Sequence, residues 1–502
     1  MTVIVTGRDL SLAEVVRVAR GGEPATLEPA AAERMRRTRA IVQASLDRGE
    51  SIYGASTAVG VLKRVRVDPA ADRGYAGSML GHHRVGQGPA APRDVVRATM
   101  LRLANHLAES SPGDRPELAE RILAALNADD VPEVRSIGSV GSADLVPLAE
   151  LAMPIVAGLD LEPGEGTALL DNNAFATGWA ALAVADAATL LDSLDVAGAL
   201  SLEGFAANPS MLHPAIGEVR PYPGLRRTLA RLAALLDGSG LWDAGAPRNL
   251  QDPLTFRNLP QIQAAGRDAL AHLESILAVE LNASQGNPIV VAADERVVSV
   301  ANFEILPLAG GLDYLRVVLA TVLTASAERT VKGLGAPWSG LPTGLVPIAG
   351  TNEAGLTYLS LAAQSLAVEA RLLAAPVSFE LVSTSHAEGI EDRTTMAPLA
   401  ARRLAEQVAL GGSIAAIELA VAAQAAELRG VRLGRGTGGA VALVRAHVPF
   451  LRVGDFVPDV GGLADAVRAG AIRAAADAAI ANGITNAPVS DGATREIDVD
   501  GA

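Results

Sequence analysis

Four short stretches concentrate the side chains able to do chemistry. SIYGASTAVG (51–60) sets Tyr53 beside glycine. A phenol there can approach a ligand closely, and it can act as a base if its pKa is lowered. GSVGSADLVPLAE (138–150) packs glycines and serines ahead of Asp144 and an apolar run. Residues this small mark a backbone that a larger side chain would block. NLQDPLTFRNLPQ (249–261) gathers Gln251, Asp252 and Arg257, and an arginine can clamp a carboxylate through two parallel hydrogen bonds. STSHAEGIEDRTTMA (383–397) brings His386, Glu388, Glu391, Asp392 and Arg393 into an apolar region. Charged loops between apolar helices often carry function. Each stretch also has a plain reading: a buried tyrosine, a tight turn into a helix, a helix-starting turn and a solvated loop. His82 and His83 in MLGHHRVGQG are adjacent and so do not share a helix face. A zinc site from that pair is not expected, and no HExxH spacing appears.

These residues need elements to hold them, and composition says which. The chain has 502 residues, 49% apolar and 3% aromatic. Alanine, leucine and valine must fill the core, and helix formers dominate, so an all-α fold is expected. The net charge of −14 argues against nucleic acid and anionic membranes as partners. No cysteine is present, which removes disulfides, thiolate metal sites and cysteine nucleophiles. Lysine is confined to Lys63 and Lys332, leaving few candidates for a Schiff base. The start, MTVIVTGRDLSLAEV, has an early acid and lacks the pattern of a signal peptide. The most apolar later stretches are interrupted by Asp313, Arg316 and Glu418, short of the ~20 apolar residues of a membrane span. A cytoplasmic protein is expected.

Along the chain, 2–6 reads as a strand and 28–49 as a helix. Two helical runs fill 93–127, and helices follow at 145–158 and 173–199. RPYPG (220–224) is a turn suited to a domain boundary. Helices are then expected at 224–238, 259–285, 306–332, 353–374, 397–428 and 462–482. NPIVVAADERVVSVANF (287–303) alternates about ADE and predicts a β-hairpin. The expected organisation is an N-terminal helical domain, 1–200, carrying the Tyr53 loop and the 138–145 loop, followed by a long-helix bundle, 201–502.

In order, these segments resemble the aromatic amino acid lyases, the family of histidine and phenylalanine ammonia-lyases. SIYGASTAVG is similar to the family's tyrosine loop and MLGHHRVGQG to the SH-containing loop after it. GSVGSADLVPLAELA resembles GSVGASGDLAPLAH, and EGTALLDNNAFATG resembles the EGLALINGTQ segment. RPYPG, QDPLTFRNLPQ, ELNASQGNPIV, VANFE and STSHAEGIEDRTTM follow in the family's order, so the resemblance runs from about residue 50 to 410. It implies a long-helix bundle, a homotetramer with shared active sites, and removal of ammonia from an aromatic amino acid. It also implies a methylidene-imidazolone ring made from an Ala-Ser-Gly triplet. By the same resemblance Tyr53 is the base, His83 recognises the substrate side chain and Arg257 holds its carboxylate. Gln251 lies near the ring, Phe303 lines the site, and Glu391 matches a glutamate of the histidine branch.

The chain departs from the family at the reaction centre. GSVGSADL is one residue shorter than GSVGASGDL, leaving Gly141-Ser142-Ala143 as the triplet. Ring closure joins the third residue's nitrogen to the first residue's carbonyl. Glycine at the third position permits that compression, whereas Ala143 hinders it. Leu254 replaces the family's second tyrosine. Asp171 stands where the family has asparagine, with Asn172 next to it. These changes point to elimination or related acid–base chemistry on a small carboxylate-bearing substrate without the ring and with no other cofactor. In that scheme Tyr53 removes a proton, Arg257 holds a carboxylate, and Asp171, His83 or Glu391 supplies acid or base. Elimination without the electrophile needs a better leaving group than an unactivated amine, or a more acidic proton. The alternatives are a ring-dependent ammonia-lyase or aminomutase acting on a histidine-like amino acid, with Ser142 in the ring, and a non-catalytic ligand-binding homologue.

Overall fold

Runs of alanine, leucine and valine without glycine–proline punctuation become long helices. Ala174–Phe205, Leu306–Leu334 and Ala397–Arg429 have 32, 29 and 33 residues. By length and composition the runs Glu165–Phe205, Leu306–Leu334 and Ala397–Arg429 would suffice to cross a membrane. Yet 78%, 61% and 83% of their most apolar windows is buried within the chain. Their apolar surface is core. A computed structural model describes residues 2–68, 74–379 and 389–483. Among them strand is confined to three two-stranded ribbons. Val3–Val5 pairs in parallel with Ala25–Leu27, Gln87–Ala90 antiparallel with Arg135–Ile137, and Ile289–Val291 antiparallel with Arg296–Val298. The last is the hairpin that the alternation predicts.

The chain forms two compact units, each drawn from separated stretches. The first is Met1–Asp186, Ala269–Val317 and Ala374–Glu406; the second is Ala187–Asp268, Val318–Leu373 and Gln407–Ala502. The predicted helices at 93–127 form as Arg93–Ala108 and Pro116–Asn127. The predicted 462–482 helix is broken into Gly461–Arg468 and Ala471–Ala481, because Gly470 takes a φ of 73° between them. RPYPG lies inside the second unit, where Pro223 opens the helix Pro223–Leu235.

In the first unit, Arg93–Ala108 is the central helix. Its apolar face, from Ala98 to Leu107, is fully buried, and its polar side chains tether the stretch that leads to the hairpin. Arg102 donates through Nε to the Glu280 carbonyl at 3.0 Å and through Nη2 to the Ala283 carbonyl at 2.7 Å. Asn105 Nδ2 donates to the Leu281 carbonyl at 2.9 Å. This fixes the chain just ahead of Asn287.

In the second unit, Arg329 and Glu418 are each 1% exposed and pair at 2.6 Å. Ser201 and Ser326 complete the carboxylate's partners. Arg329 Nη1 also donates to the Thr255 carbonyl at 3.3 Å, which anchors the segment carrying Arg257. Removing one partner of such a pair leaves an uncompensated buried charge, at a cost of about 3–5 kcal/mol. Glu418→Gln is therefore expected to lower the thermal midpoint by several degrees, read by calorimetry at fixed protein concentration. An unchanged midpoint would contradict the assignment.

Candidate active site

Two segments of the first unit close on the short helix Glu165–Leu170. The turn after Tyr53 lies so near it that a Cβ on Gly54 would collide with the Thr167 side chain, and Gly54 takes a φ of 74°. The helix Tyr75–His82 also packs closely: a Cβ on Gly166 would stand 3.3 Å from Ala76. Glu165–Leu170 ends at Asp171, whose N–H bonds the Thr167 carbonyl at 2.8 Å. Its carboxyl is buried, with 8% of the residue exposed.

Burial pushes the Asp171 carboxyl up to about 8, and the nearby charge of Glu391 adds to the rise. A hydrogen bond with the Asn287 side chain opposes it. Asn287 Oδ1 accepts from the Val300 N–H at 2.9 Å, so its amide nitrogen is the end left for Asp171. The Tyr53 phenol is also pushed up, first by burial and then by the charges of Asp171, Glu391 and Tyr75. The Gly60 N–H, which donates to the Tyr53 hydroxyl at 2.9 Å, opposes the rise. The lowered pKa that would suit Tyr53 as a lone base is therefore not found. The site gathers acidic groups around the phenol, and among the described residues no cation figures in either shift.

The glycine–serine loop is held from three other parts of the chain. The Asp144 N–H bonds the Asn172 carbonyl at 2.7 Å, and the Met396 N–H bonds the Val140 carbonyl at 2.9 Å. The Ser142 hydroxyl donates to the Arg393 carbonyl at 2.6 Å, and the Thr395 hydroxyl donates to the Gly141 carbonyl at 2.7 Å. Ser142 also forms an isolated antiparallel bridge with Glu304, which brings the adjoining Phe303 to the loop. The Phe303 carbonyl accepts from Asn173 Nδ2 at 2.7 Å. Asp144, raised to about 6 chiefly by burial, accepts from the Ser139 hydroxyl at 2.6 Å and the Ala176 N–H at 2.7 Å.

These residues do not fit the ring as Ala-Ser-Gly builds it. A Cβ on Gly141 would collide with Thr395 Oγ1 and stand 2.9 Å from the Ala397 nitrogen. An alanine cannot occupy the first position without displacing that segment. At the third position Ala143 is 4% exposed and sits at φ 65°, a left-handed conformation that glycine adopts freely and alanine only at a cost. Relief of about 1–2 kcal/mol of strain outweighs the added freedom of a glycine in the unfolded chain. Ala143→Gly is expected to raise stability by roughly 0.5–1 kcal/mol in denaturant titration. A destabilised variant would show that Ala143 is unstrained.

The remaining predicted residues divide clearly. His83 caps Tyr75–His82, and its Nδ1–H donates to the Met79 carbonyl at 2.8 Å, leaving Nε2 for other partners. Asn172 is fully buried. Its amide nitrogen bonds the Ala168 and Leu169 carbonyls at 3.2 and 3.3 Å, and its oxygen accepts from Ala174 N–H at 3.0 Å. That side chain splices two helices rather than facing a ligand. Glu391 is exposed, though its charge reaches Tyr53 and Asp171. Gln251, Leu254 and Arg257 belong to the second unit and are exposed there. Asp252 is instead buried and structural, accepting from the Asn208 N–H at 2.6 Å. His386 and Glu388 lie outside the described residues. Sequence reasoning missed Asn287, Thr395 and Tyr75. The first two stand inside quoted motifs, in QGNPIV and RTTM, but without a residue type that stands out.

A family model described as aromatic amino acid lyase matches residues 10–159 and 156–446. The chain belongs to the aromatic amino acid lyase family. Histidine ammonia-lyase of Deinococcus radiodurans is 34% identical over 478 residues, spanning 89% of this chain and 90% of its own. Among solved structures, ergothionase of Treponema denticola, an ergothioneine-degrading enzyme captured with desmethyl-ergothioneine sulfonic acid, matches with a TM-score of 0.87 at 27% identity. The match covers 95% of this chain and 99% of that one. Histidine ammonia-lyase of Trypanosoma cruzi matches with a TM-score of 0.84 at 26% identity, over 99% and 100%. The fold of this aromatic amino acid lyase is thus the long-helix fold of histidine ammonia-lyase.

Proposed function

We propose that this aromatic amino acid lyase eliminates an amine from a small carboxylate-bearing substrate without a methylidene-imidazolone ring. The observation that carries the reading is the buried Asp171, held near 8 beside Tyr53 and Glu391. A cluster of acids in which, among the described residues, no cation contributes to the shifts of Tyr53 or Asp171 suits a substrate that brings its own positive charge. An ammonium centre bound there favours the ionised forms of Asp171 and Tyr53. The pair then takes the proton from the carbon next to the one bearing nitrogen. The electrons of that C–H bond form the C=C bond, and the C–N bond breaks with its pair leaving on nitrogen. A quaternary ammonium departs as a neutral tertiary amine, which removes the need for an electrophile. Ergothioneine, degraded by the Treponema denticola neighbour, carries a trimethylated amine of this kind.

Arg257 holds the substrate carboxylate in this reading, with Gln251 and Leu254 nearby. The family resemblance implies a homotetramer with shared active sites. A second reading, a ring-dependent lyase acting on a histidine-like amino acid, is favoured by the 34% identity to histidine ammonia-lyase. An assay of trimethylammonium betaines against the matching free amino acids separates the two, following released amine and the absorbance of the unsaturated acid. Turnover of the betaines is expected. Turnover of free amino acids alone would overturn the proposal in favour of the second reading.

A further inference from the structure

The segment carrying Arg257 closes around the end of one helix within the second unit. Ala174–Phe205 stops at Ala206, an alanine at φ 56° where glycine is the easy choice. The Ala207 N–H bonds the Leu202 carbonyl at 2.9 Å and finishes the helix. The turn then holds residues 248–256 at four points. The Ala206 carbonyl accepts from the Arg248 N–H at 3.1 Å. Asn208 Nδ2 donates to the Leu250 carbonyl at 3.0 Å, and the Asn208 N–H donates to Asp252 Oδ2 at 2.6 Å. The Phe205 ring stacks on the Phe256 ring, with centroids 3.9 Å apart and planes at 20°. The Arg248 guanidinium lies over the same Phe205 ring, 6.0 Å from its centroid, and its Nη1 donates to the Trp338 carbonyl at 2.6 Å. Both ends of the segment are therefore fastened to Phe205.

Arg257 follows directly on this anchored stretch. Its N–H bonds the Pro253 carbonyl at 3.2 Å, and the Asn258 N–H bonds the Leu254 carbonyl at 2.9 Å, so its main chain is fixed. Its side chain is exposed, and among the described residues its guanidinium takes part in no hydrogen bond or ion pair. A free guanidinium on a backbone already ordered is what two-point recognition of a carboxylate needs, because the ordering is met before the ligand arrives. We propose that Phe205 and Asn208 are positioning residues for Arg257, setting the direction in which its guanidinium meets the substrate carboxylate. They act through the 248–256 segment and not on the substrate itself. Phe205 supplies the ring against which Phe256 is stacked, and Asn208 ties down Leu250 and Asp252. This rests on the reading of Arg257 as the residue that holds the carboxylate.

The test uses two variants of the full-length protein. Phe205→Leu keeps an apolar side chain but removes the ring face. Asn208→Ser, at a half-buried position, keeps an acceptor for the Ser210 N–H and loses the donor to Leu250. It carries the test alone if Phe205→Leu does not fold. Amide hydrogen exchange without substrate is read by mass spectrometry. Protection is expected to fall over 249–258 and to be kept in Arg435–His447, a helix of the same unit. Unchanged protection at 249–258, or a loss spread over the whole unit, would overturn the proposal. In the betaine and amino-acid assays, the KM of whichever substrate turns over is expected to rise about fivefold with kcat held, the pattern of lost binding on the scale of one hydrogen bond. A merely structural role lowers the thermal midpoint and leaves KM alone. A fall in kcat at unchanged KM also counts against the assignment to carboxylate binding. If neither substrate turns over, the lyase reading fails and the exchange result still decides whether Phe205 and Asn208 fix the Arg257 segment.

Discussion

Asp171→Asn is expected to lower turnover by roughly 10²–10⁴-fold, the usual contribution of a positioned acid or base. The wild-type kcat/KM is expected to rise with pH through an apparent midpoint near 8, the value to which burial and Glu391 push this carboxyl. That midpoint belongs to the Tyr53–Asp171–Glu391 cluster rather than to one group, and the limb disappears in the variant. Stability carries the opposite sign. The carboxyl's pKa is 3.8 in its unperturbed state and about 8 in the fold. Between those values the folded protein binds more protons than the unfolded chain. The stabilisation linked to this proton is complete below the lower value and is lost as pH rises towards the upper one. An asparagine does not titrate, so the variant's thermal midpoint gains on the wild type between pH 5 and pH 8. A variant that keeps full turnover, or gains nothing in midpoint over that interval, removes Asp171 from the centre of the chemistry.

Ser142→Ala separates the two lyase readings by a wider margin. A ring built from Gly141-Ser142-Ala143 needs the serine to supply its methylidene carbon, so the ring-dependent reading predicts turnover reduced to background. In the ring-free site the Ser142 hydroxyl donates to the Arg393 carbonyl. Losing one such hydrogen bond costs about 1 kcal/mol, and turnover is expected to fall less than tenfold. Mass spectrometry of the peptide spanning 136–159 is expected to agree, with an unmodified mass in wild type and variant alike. A deficit of two waters in the wild type, with background turnover in the variant, restores the ring.

Helices and hairpin were legible because periodicity and alternation are local properties. Pro29–Asp47, Arg93–Ala108 and Ile289–Val298 follow directly from it. The break at Gly470 was less legible, since one glycine in an apolar run is compatible with an unbroken helix. The acid cluster was half visible. Tyr53 and Asp171 stood out by type and place, but the Tyr53 phenol is raised first by burial and then by the charges of Asp171, Glu391 and Tyr75. No spacing along the chain encodes that meeting. Tyr75 sits in a stretch with no signal of its own, and only the packing of Ala76 on Gly166 brings it to the site. Asn172 misled for the opposite reason. Its amide looked available in the sequence, yet the turn between two helices consumes it.

The clasp on the glycine–serine loop sets an order of events during folding. Its hydrogen bonds join residues 251 and 254 positions apart. Contacts of such separation form late, after loop-closure entropy has been met by nearer pairings. The helices Arg93–Ala108 and Pro116–Asn127 can form while the 393–397 segment is still unmade, but the loop conformation cannot. A nascent chain released before residue 393 would therefore hold much of its N-terminal helical structure with the loop left open to protease. The shape of the loop is thus decided by chain synthesised long after the loop itself.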